Sequence, residues 1–221
     1  MTDFTKVQKN LEARGYTVKA FATAAEAADY LDGAIDGKTM GFGGSATLDA
    51  LGIYDRLESN NTVIWHWKQE ADAARKAAMQ TQVYLTSANG LAESGEIVNI
   101  DGTGNRVAST IFGHEEVYFI VGRNKLAPDY DKALWRARNI ASPKNAQRLG
   151  KQTPCAVKAD RCYDCKSPER ICRALAVLWE KPTGIGRAEV VLIDEPLGYL
   201  AGGGAACDEL FWRWPCAAPC P

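Results

Sequence analysis

Two hydrophobic periods alternate along the chain from its start to about residue 199, and that alternation decides which fold class is open to it. Residues 4–14 and 24–35 space their apolar side chains as a helix does, while "YTVKAFAT" between them alternates as a strand does. "KTMGFGG" then reads as a buried strand ending in glycines, and "SATLDALGIYDRLESN" as a helix with Ser45 at its N-cap. "NTVIWHW" (strand), "EADAARKAAMQ" (helix) and "TQVYLTSAN" (strand) continue the rhythm. A short strand "EIVNI" lies between two turn clusters, "VASTIFG" reads as a helix and "EEVYFIVG" as a strand. "APDYDKALWRARNIASPKNAQRLG" follows as a long helix interrupted near Pro143. "ALAVLWEK" and "AEVVLIDE" read as two late strands paired in a hairpin. This succession predicts one α/β domain over residues 1–199, with a sheet largely parallel at its centre. Residues 200–221 combine a glycine run with cysteines, tryptophans and prolines in no structural period, and read as a disordered or non-native tail that carries no chemistry.

Charge narrows the classes of partner. The 221 residues hold 26 Lys and Arg against 27 Asp and Glu, so no bulk field draws the chain to nucleic acid or to an anionic membrane. No apolar run reaches the length of about 18 residues that a membrane span needs. "MTDFTKVQKNLEARGY" mixes charged and apolar residues where a secretory signal would be continuously apolar, which predicts a cytoplasmic protein. In that reducing setting, seven cysteines point to metal or redox chemistry before disulfides.

Three segments carry candidate chemistry. The first is "GFGGSAT", a loose G-x-G-x-x-A pattern at Gly41, Gly43 and Ala46 where a strand meets a helix. A nicotinamide cofactor would also want an acidic residue at the end of the next strand, and "HWK" stands there instead. Gly43, Gly44 and Ser45 are therefore read as a loop for a phosphate, carboxylate or thioester oxygen, beside the simpler reading of a tight packing turn. The second segment runs from Asn89 to Arg106, where polar side chains alternate with four glycines. Asn89, Asp101 and Asn105 are candidate ligand contacts, Glu93 a candidate general base or nucleophile, and Arg106 a candidate carboxylate grip. Two solvated turns capped by Asp101 and Asn105 are the alternative. His66 and His114 show no triad spacing and read as structural.

The third segment is "CAVKADRCYDCKSPERIC", which spaces Cys155, Cys162, Cys165 and Cys172 as C-x6-C-x2-C-x6-C. The central C-x2-C lets two thiolates from one turn reach one centre, so the four cysteines are a candidate site for a 4Fe-4S cluster, or alternatively zinc. The basic residues around them would offset a tetrathiolate charge. Ser167 and Pro168 look like the start of a short helical turn that carries Cys172 back toward the knuckle. Free thiols in a loop remain the simplest alternative.

Three stretches, "GFGGSATLDALGIYDRL", "YLTSANGLAESGEIVNIDGTGNRVAS" and "VYFIVGRNKLAPDYDKALWRARNIASPKN", resemble the lactate-utilisation, or LUD, domain family over about residues 3–199. The family is similar in fold to the ribose-5-phosphate isomerase, glucosamine-phosphate deaminase and coenzyme A transferase group, which implies three layers around a mainly parallel sheet. The resemblance also implies a metabolic role associated with oxidation of L-lactate to pyruvate, with an iron–sulfur centre and an iron–sulfur redox partner protein. By the same likeness Glu93 falls in a segment rather like the one that holds the nucleophile of coenzyme A transferases. Three functions are thus open: a lactate-utilisation-type protein, a transferase, isomerase or ligase acting on a phosphorylated or thioester ligand through Glu93, and a non-catalytic sensing or assembly subunit. The partners expected are a small carboxylate or phosphorylated metabolite and a second copy of the chain.

Overall fold

The computed structural model describes residues 2–158 and 160–200. Helix α1 (Thr5–Ala13) leads into β1 (Thr17–Phe21), α2 (Ala24–Ala34) and β2 (Thr39–Phe42). Thr23 and Glu26 cap α2 reciprocally, each side chain taking a backbone N–H of the other. After β2 come α3 (Ala46–Leu51), α4 (Tyr54–Glu58), β3 (Thr62–Trp65), α5 (Ala71–Ala78) and β4 (Val83–Thr86). The sequence predicts one helix where α3 and α4 stand. Gly52 divides them, closing α3 in the left-handed region at φ 65°.

The chain then forms β5 (Gly90–Ala92), β6 (Ile97–Asp101), α6 (Asn105–Ser109) and β7 (Glu116–Gly122). A single 3-10 turn, Arg123–Lys125, precedes β8 (Leu126–Ala127) and α7 (Tyr130–Arg136). Helix α7 runs through a π-helical turn, Ala137–Ala141, into α8 (Ser142–Arg148). Pro143 does not break this helix. The widened turn before it makes room for the ring, and Ser142 Oγ donates to the Ala137 carbonyl at 2.9 Å. Helix α9 (Pro154–Lys158), β9 (Ala174–Leu178) and β10 (Arg187–Ile193) complete the described elements.

Six strands form one sheet in the order β1-β10-β7-β4-β2-β3, and every pairing in it is parallel. The other four form a smaller mixed sheet, β8-β5-β6-β9. The two late strands are therefore not a hairpin. β9 pairs antiparallel with β6 at an edge of the small sheet, whereas β10 inserts between β1 and β7. Burial explains the difference: from Ala188 to Ile193 β10 is buried throughout, as a central parallel strand must be, while β9 is half exposed.

The large sheet is covered on both faces. Phe42, Trp65, Tyr118, Ile120 and Val191 face one way, onto Leu31, Leu48 and Leu57 of α2, α3 and α4. Tyr84, Val117, Phe119, Val190 and Leu192 face the other way, onto Val7 and Leu11 of α1 and onto Leu91, Ile97 and Leu178 of the small sheet. Ala133 of α7 and Ala137 pack over the outer side of that sheet, against Ala92, Val98 and Ala127. The molecule is thus a three-layer α/β structure in which the small sheet forms part of one outer layer. At about 1.5–3 kcal/mol for each large side chain buried, this double coverage outweighs local propensity in the central strands.

Candidate functional site

Strand order reverses at β2: the chain leaves it toward β3 on one side, then crosses back to place β4 on the other. Open parallel sheets bind ligands beyond the C-terminal ends of strands at such a reversal. A cleft of about 210 Å³ lies there. Its walls come from Gly44 to Thr47 after β2, His66 and Trp67 after β3, and Ser87 to Asn89 after β4. Lys125 after β7, Arg136 of α7 and Arg148 of α8 complete it from the far side.

The floor needs glycine. A Cβ at Gly44 would stand 3.0 Å from His66 Nε2 and 3.1 Å from Trp67 Nε1, so the absent side chain admits both rings. Gly43 packs behind the floor, against Thr86, Tyr84 and Arg106. Ser45 caps α3 as predicted, its Oγ accepting from the N–H groups of Thr47 (3.2 Å) and Leu48 (3.3 Å). Trp67 stacks on Trp65 and lies under the guanidinium of Arg148, 4.6 Å from the ring centroid.

Arg106 pins the polar segment that the sequence singles out. Its Nη1 donates to Asn99 Oδ1 (2.6 Å) and the Ser87 carbonyl (3.3 Å), and its Nη2 to the Ile100 carbonyl (2.6 Å) and Asn89 Oδ1 (3.2 Å). Asn89 Oδ1 also accepts from the Ile100 N–H at 2.7 Å. Both terminal nitrogens of Arg106 are thereby committed to the protein, so the side chain ties the β4–β5 connection and strand β6 to α6. Asp101 accepts from the N–H groups of Thr103 (3.2 Å) and Val107 (3.0 Å), so from the end of β6 it holds the turn and the first turn of α6, whose N-cap is Gly104. Asn105 opens α6 at the cleft wall.

Glu93 lies elsewhere. It sits in the turn joining β5 to β6, while the cleft takes the opposite end of that antiparallel pair, Asn89 and Ile100. Its carboxylate pairs with Lys6 of α1 at 2.6 Å, and its carbonyl accepts from Asn10. The structure therefore brings Gly44, Ser45, Asn89, Asp101, Asn105 and Arg106 to one cleft and leaves Glu93 outside it.

Sequence reasoning missed Lys125, Arg136 and Arg148. Lys125 is 6% exposed, and its Nζ donates to Thr47 Oγ1 and, at 2.7 Å, to Ser87 Oγ. Burial first, then the charges of Arg136 and Arg106, hold its ammonium pKa well below the usual lysine value. Arg136 donates through Nε to the Asn124 carbonyl (2.7 Å), through Nη1 to that of Asn89 and through Nη2 to that of Tyr199 (2.7 Å). Burial lowers its pKa to about 10, so it stays charged near neutral pH. The available signal was their place in chain order, just after a buried strand or on the helix that follows.

Four guanidinium groups, of Arg75, Arg106, Arg136 and Arg148, line the cleft against one carboxylate, Asp101, with Arg75 also paired to Asp72 at 2.8 Å; the Lys125 amine lines it too, its charged form disfavoured by burial. His66 also lines it, and burial, followed by the charge of Arg75, pushes its pKa below the usual imidazole value. An excess of positive charge suits a small anion.

The cysteine segment is arranged differently. Cys155 lies on α9, Cys162 and Cys165 in irregular chain, and Cys172 two residues before β9. Ser167 heads a turn as expected, its Oγ accepting from the Glu169 N–H (3.2 Å) and its carbonyl from the Arg170 N–H (3.1 Å), but the turn does not continue as a helix. Cys162 Sγ accepts from Arg138 Nη2 and the Asp164 N–H, Cys172 Sγ accepts from Arg170 Nη2, and Cys155 Sγ lies 3.3 Å from Thr153 Oγ1. Among the described residues no three His, Cys, Asp or Glu side chains are placed to share a metal ion. As they stand, the four thiols do not fit a common zinc ion or cluster. No described helix is long and apolar enough to cross a membrane. The tail reading falls, from residue 201 onward, outside the described residues.

Known proteins agree with this architecture. A DUF162 family protein from Deinococcus radiodurans, solved by crystallography, aligns with a TM-score of 0.51 at 13% identity, over 87% of this chain and 99% of that one. At that identity the likeness speaks for the fold. No curated protein matches the chain. The sequence model of the LUD domain family matches residues 4–193, nearly the whole of the described α/β structure. The chain belongs to the LUD domain family.

Proposed function

We propose that this chain is a lactate-utilisation-type metabolic protein that holds a small organic anion, a carboxylate or a phosphorylated metabolite, in the cleft beyond β2, β4 and β7. One observation carries the reading: four guanidinium groups line the cleft against one carboxylate, Asp101, and although Arg75 pairs with Asp72 the other three have no carboxylate partner in the cleft but Asp101. A cleft with that imbalance favours an anionic guest. The association with oxidation of L-lactate to pyruvate rests on the family alone and belongs to the same proposal.

No step of this reading passes through Glu93, which the fold keeps away from the cleft, or through an iron–sulfur centre. The centre is a separate proposal that requires Cys155, Cys162, Cys165 and Cys172 to come together. The anion reading is tested by thermal unfolding of the full chain against a panel of short 2-hydroxy and 2-oxo acids, phosphate esters and their neutral amide or alcohol analogues. A ligand at about 100 times its Kd stabilises by about 2.7 kcal/mol, a shift of several degrees in Tm. Stabilisation by acids with none by the neutral analogues is expected; equal response to both sets, or to neither, overturns the reading.

A further inference from the structure

Lys125 is better placed for chemistry than for charge alone. Its side chain lines the cleft, yet no ion pair found among the described residues includes it. Its two hydrogen-bond partners are hydroxyl oxygens. Ser87 gives its own hydrogen to the Ile120 carbonyl at 2.5 Å, so toward Lys125 it accepts. Thr47 Oγ1 accepts from Nζ as well. A neutral amine with both hydrogens engaged in this way keeps its lone pair free for an electrophile. Burial and two neighbouring guanidinium groups favour that neutral form over the ammonium ion.

We propose that Lys125 Nζ forms an imine with the carbonyl carbon of a 2-oxo acid held in the cleft. The proposal rests on the anion reading above: the carboxylate of such an acid is the anion, and its adjacent ketone is the electrophile. The Nζ lone pair makes a bond to the carbonyl carbon, and the π electrons move to the ketone oxygen, which takes a proton. That proton comes from Nζ, giving a neutral carbinolamine; its hydroxyl takes a second proton from solvent and leaves as water as the nitrogen lone pair forms a double bond to carbon, leaving a protonated imine. The C=N double bond replaces the C=O double bond, one water leaves, and nothing is oxidised or reduced. A 2-hydroxy acid has no such carbon and forms no adduct, so the same cleft would hold a hydroxy acid reversibly and its oxo counterpart covalently.

The test incubates the full chain with pyruvate and cyanoborohydride, which reduces an imine to a stable secondary amine. Intact mass is expected to rise by one pyruvic acid less an oxygen atom, and peptide mapping to place the addition on Lys125. L-lactate is expected to give no adduct. In K125R the addition at that peptide is expected to disappear, and calorimetry with pyruvate shows whether the variant still folds and binds. If wild-type protein binds pyruvate by calorimetry but gains no mass, or gains it only on other lysines, imine formation at Lys125 is overturned and the anion reading stands. If pyruvate does not bind at all, the imine fails, and the panel of other acids decides the anion reading separately.

Discussion

The cleft and the cysteine segment reach their side chains by opposite routes. At the cleft, Thr47, His66, Ser87, Lys125 and Arg136 come from separate stretches of chain, and the parallel sheet delivers them to one edge because each follows a strand that ends there or rides on the helix beyond. In the cysteine segment the four thiols lie between residues 155 and 172, yet no three of them meet. Nearness in sequence is thus a poor guide to nearness in space where no regular element fixes the path. Hydrogen bonds mark the same contrast. Arg106 and Arg136 each tie several backbone carbonyls around the cleft together, whereas the thiols take single contacts from half-buried or exposed groups such as Arg138 and Arg170.

The largest expected effect separates these two kinds of construction. R136M leaves the carbonyls of Asn89, Asn124 and Tyr199 without their donor. These acceptors are partly buried and an orphaned one costs at most about 1–3 kcal/mol, so a loss of about 2 kcal/mol is expected in urea unfolding. Near-wild-type stability would mean that the cleft is not the rigid region described here. D101A removes the acceptor for the Thr103 and Val107 N–H groups and is expected to cost about 1–2 kcal/mol by the same measurement.

Acidification gives a smaller effect with a definite sign. Burial lowers the pKa of His114 and of His66 below the usual imidazole value near 6.5. The unfolded chain therefore takes up these protons first as pH falls. Their stabilising contribution is complete above about pH 7, begins to be lost near the unfolded value and is gone once pH drops through the folded values. Urea midpoints between pH 7.5 and 5 should fall, and H114Q should flatten the slope; a midpoint that rises on acidification would contradict the assignment. The smallest effect is expected from C162S combined with C165S: a stability change within about 0.5 kcal/mol, as for surface positions, and unchanged anion affinity. Paired metal and acid-labile sulfide analysis of anaerobically prepared protein sharpens that comparison. A full complement of iron and sulfide, lost in the double variant, would mean that the two regions are alike after all.

Much of the fold was legible because its periods are strong. α2, β2, β3, α5 and β7 stand where their spacing puts them, and the Ser45 cap reads directly from a polar residue at the head of a periodic run. What escaped was pairing. β10 and β9 look alike as apolar runs, but one is central and the other an edge, and that choice depends on which faces the rest of the chain covers. The site was half legible for the same reason. Glycines and asparagines near "GFGGSAT" and "NIDGTGNR" announce loops at strand ends, whereas Lys125 and Arg136 look like ordinary surface cations until the fold buries them. Glu93 shows the converse. It stands four residues from Asn89 in the sequence, and a hairpin sends it to the far end of its strand pair.

The central claim is that a small anion occupies the cleft between the glycine loop and the arginines. Calorimetric titration of the full chain with pyruvate, and separately with inorganic phosphate, at two salt concentrations and in wild type and R148A tests it most directly. One equivalent of at least one anion should bind, more weakly at the higher salt, and R148A should lose about tenfold in affinity, the equivalent of about 1.4 kcal/mol for one charge-assisted contact. Binding indifferent to both salt and Arg148, or no binding of either anion together with no response to the panel of acids, would contradict the account.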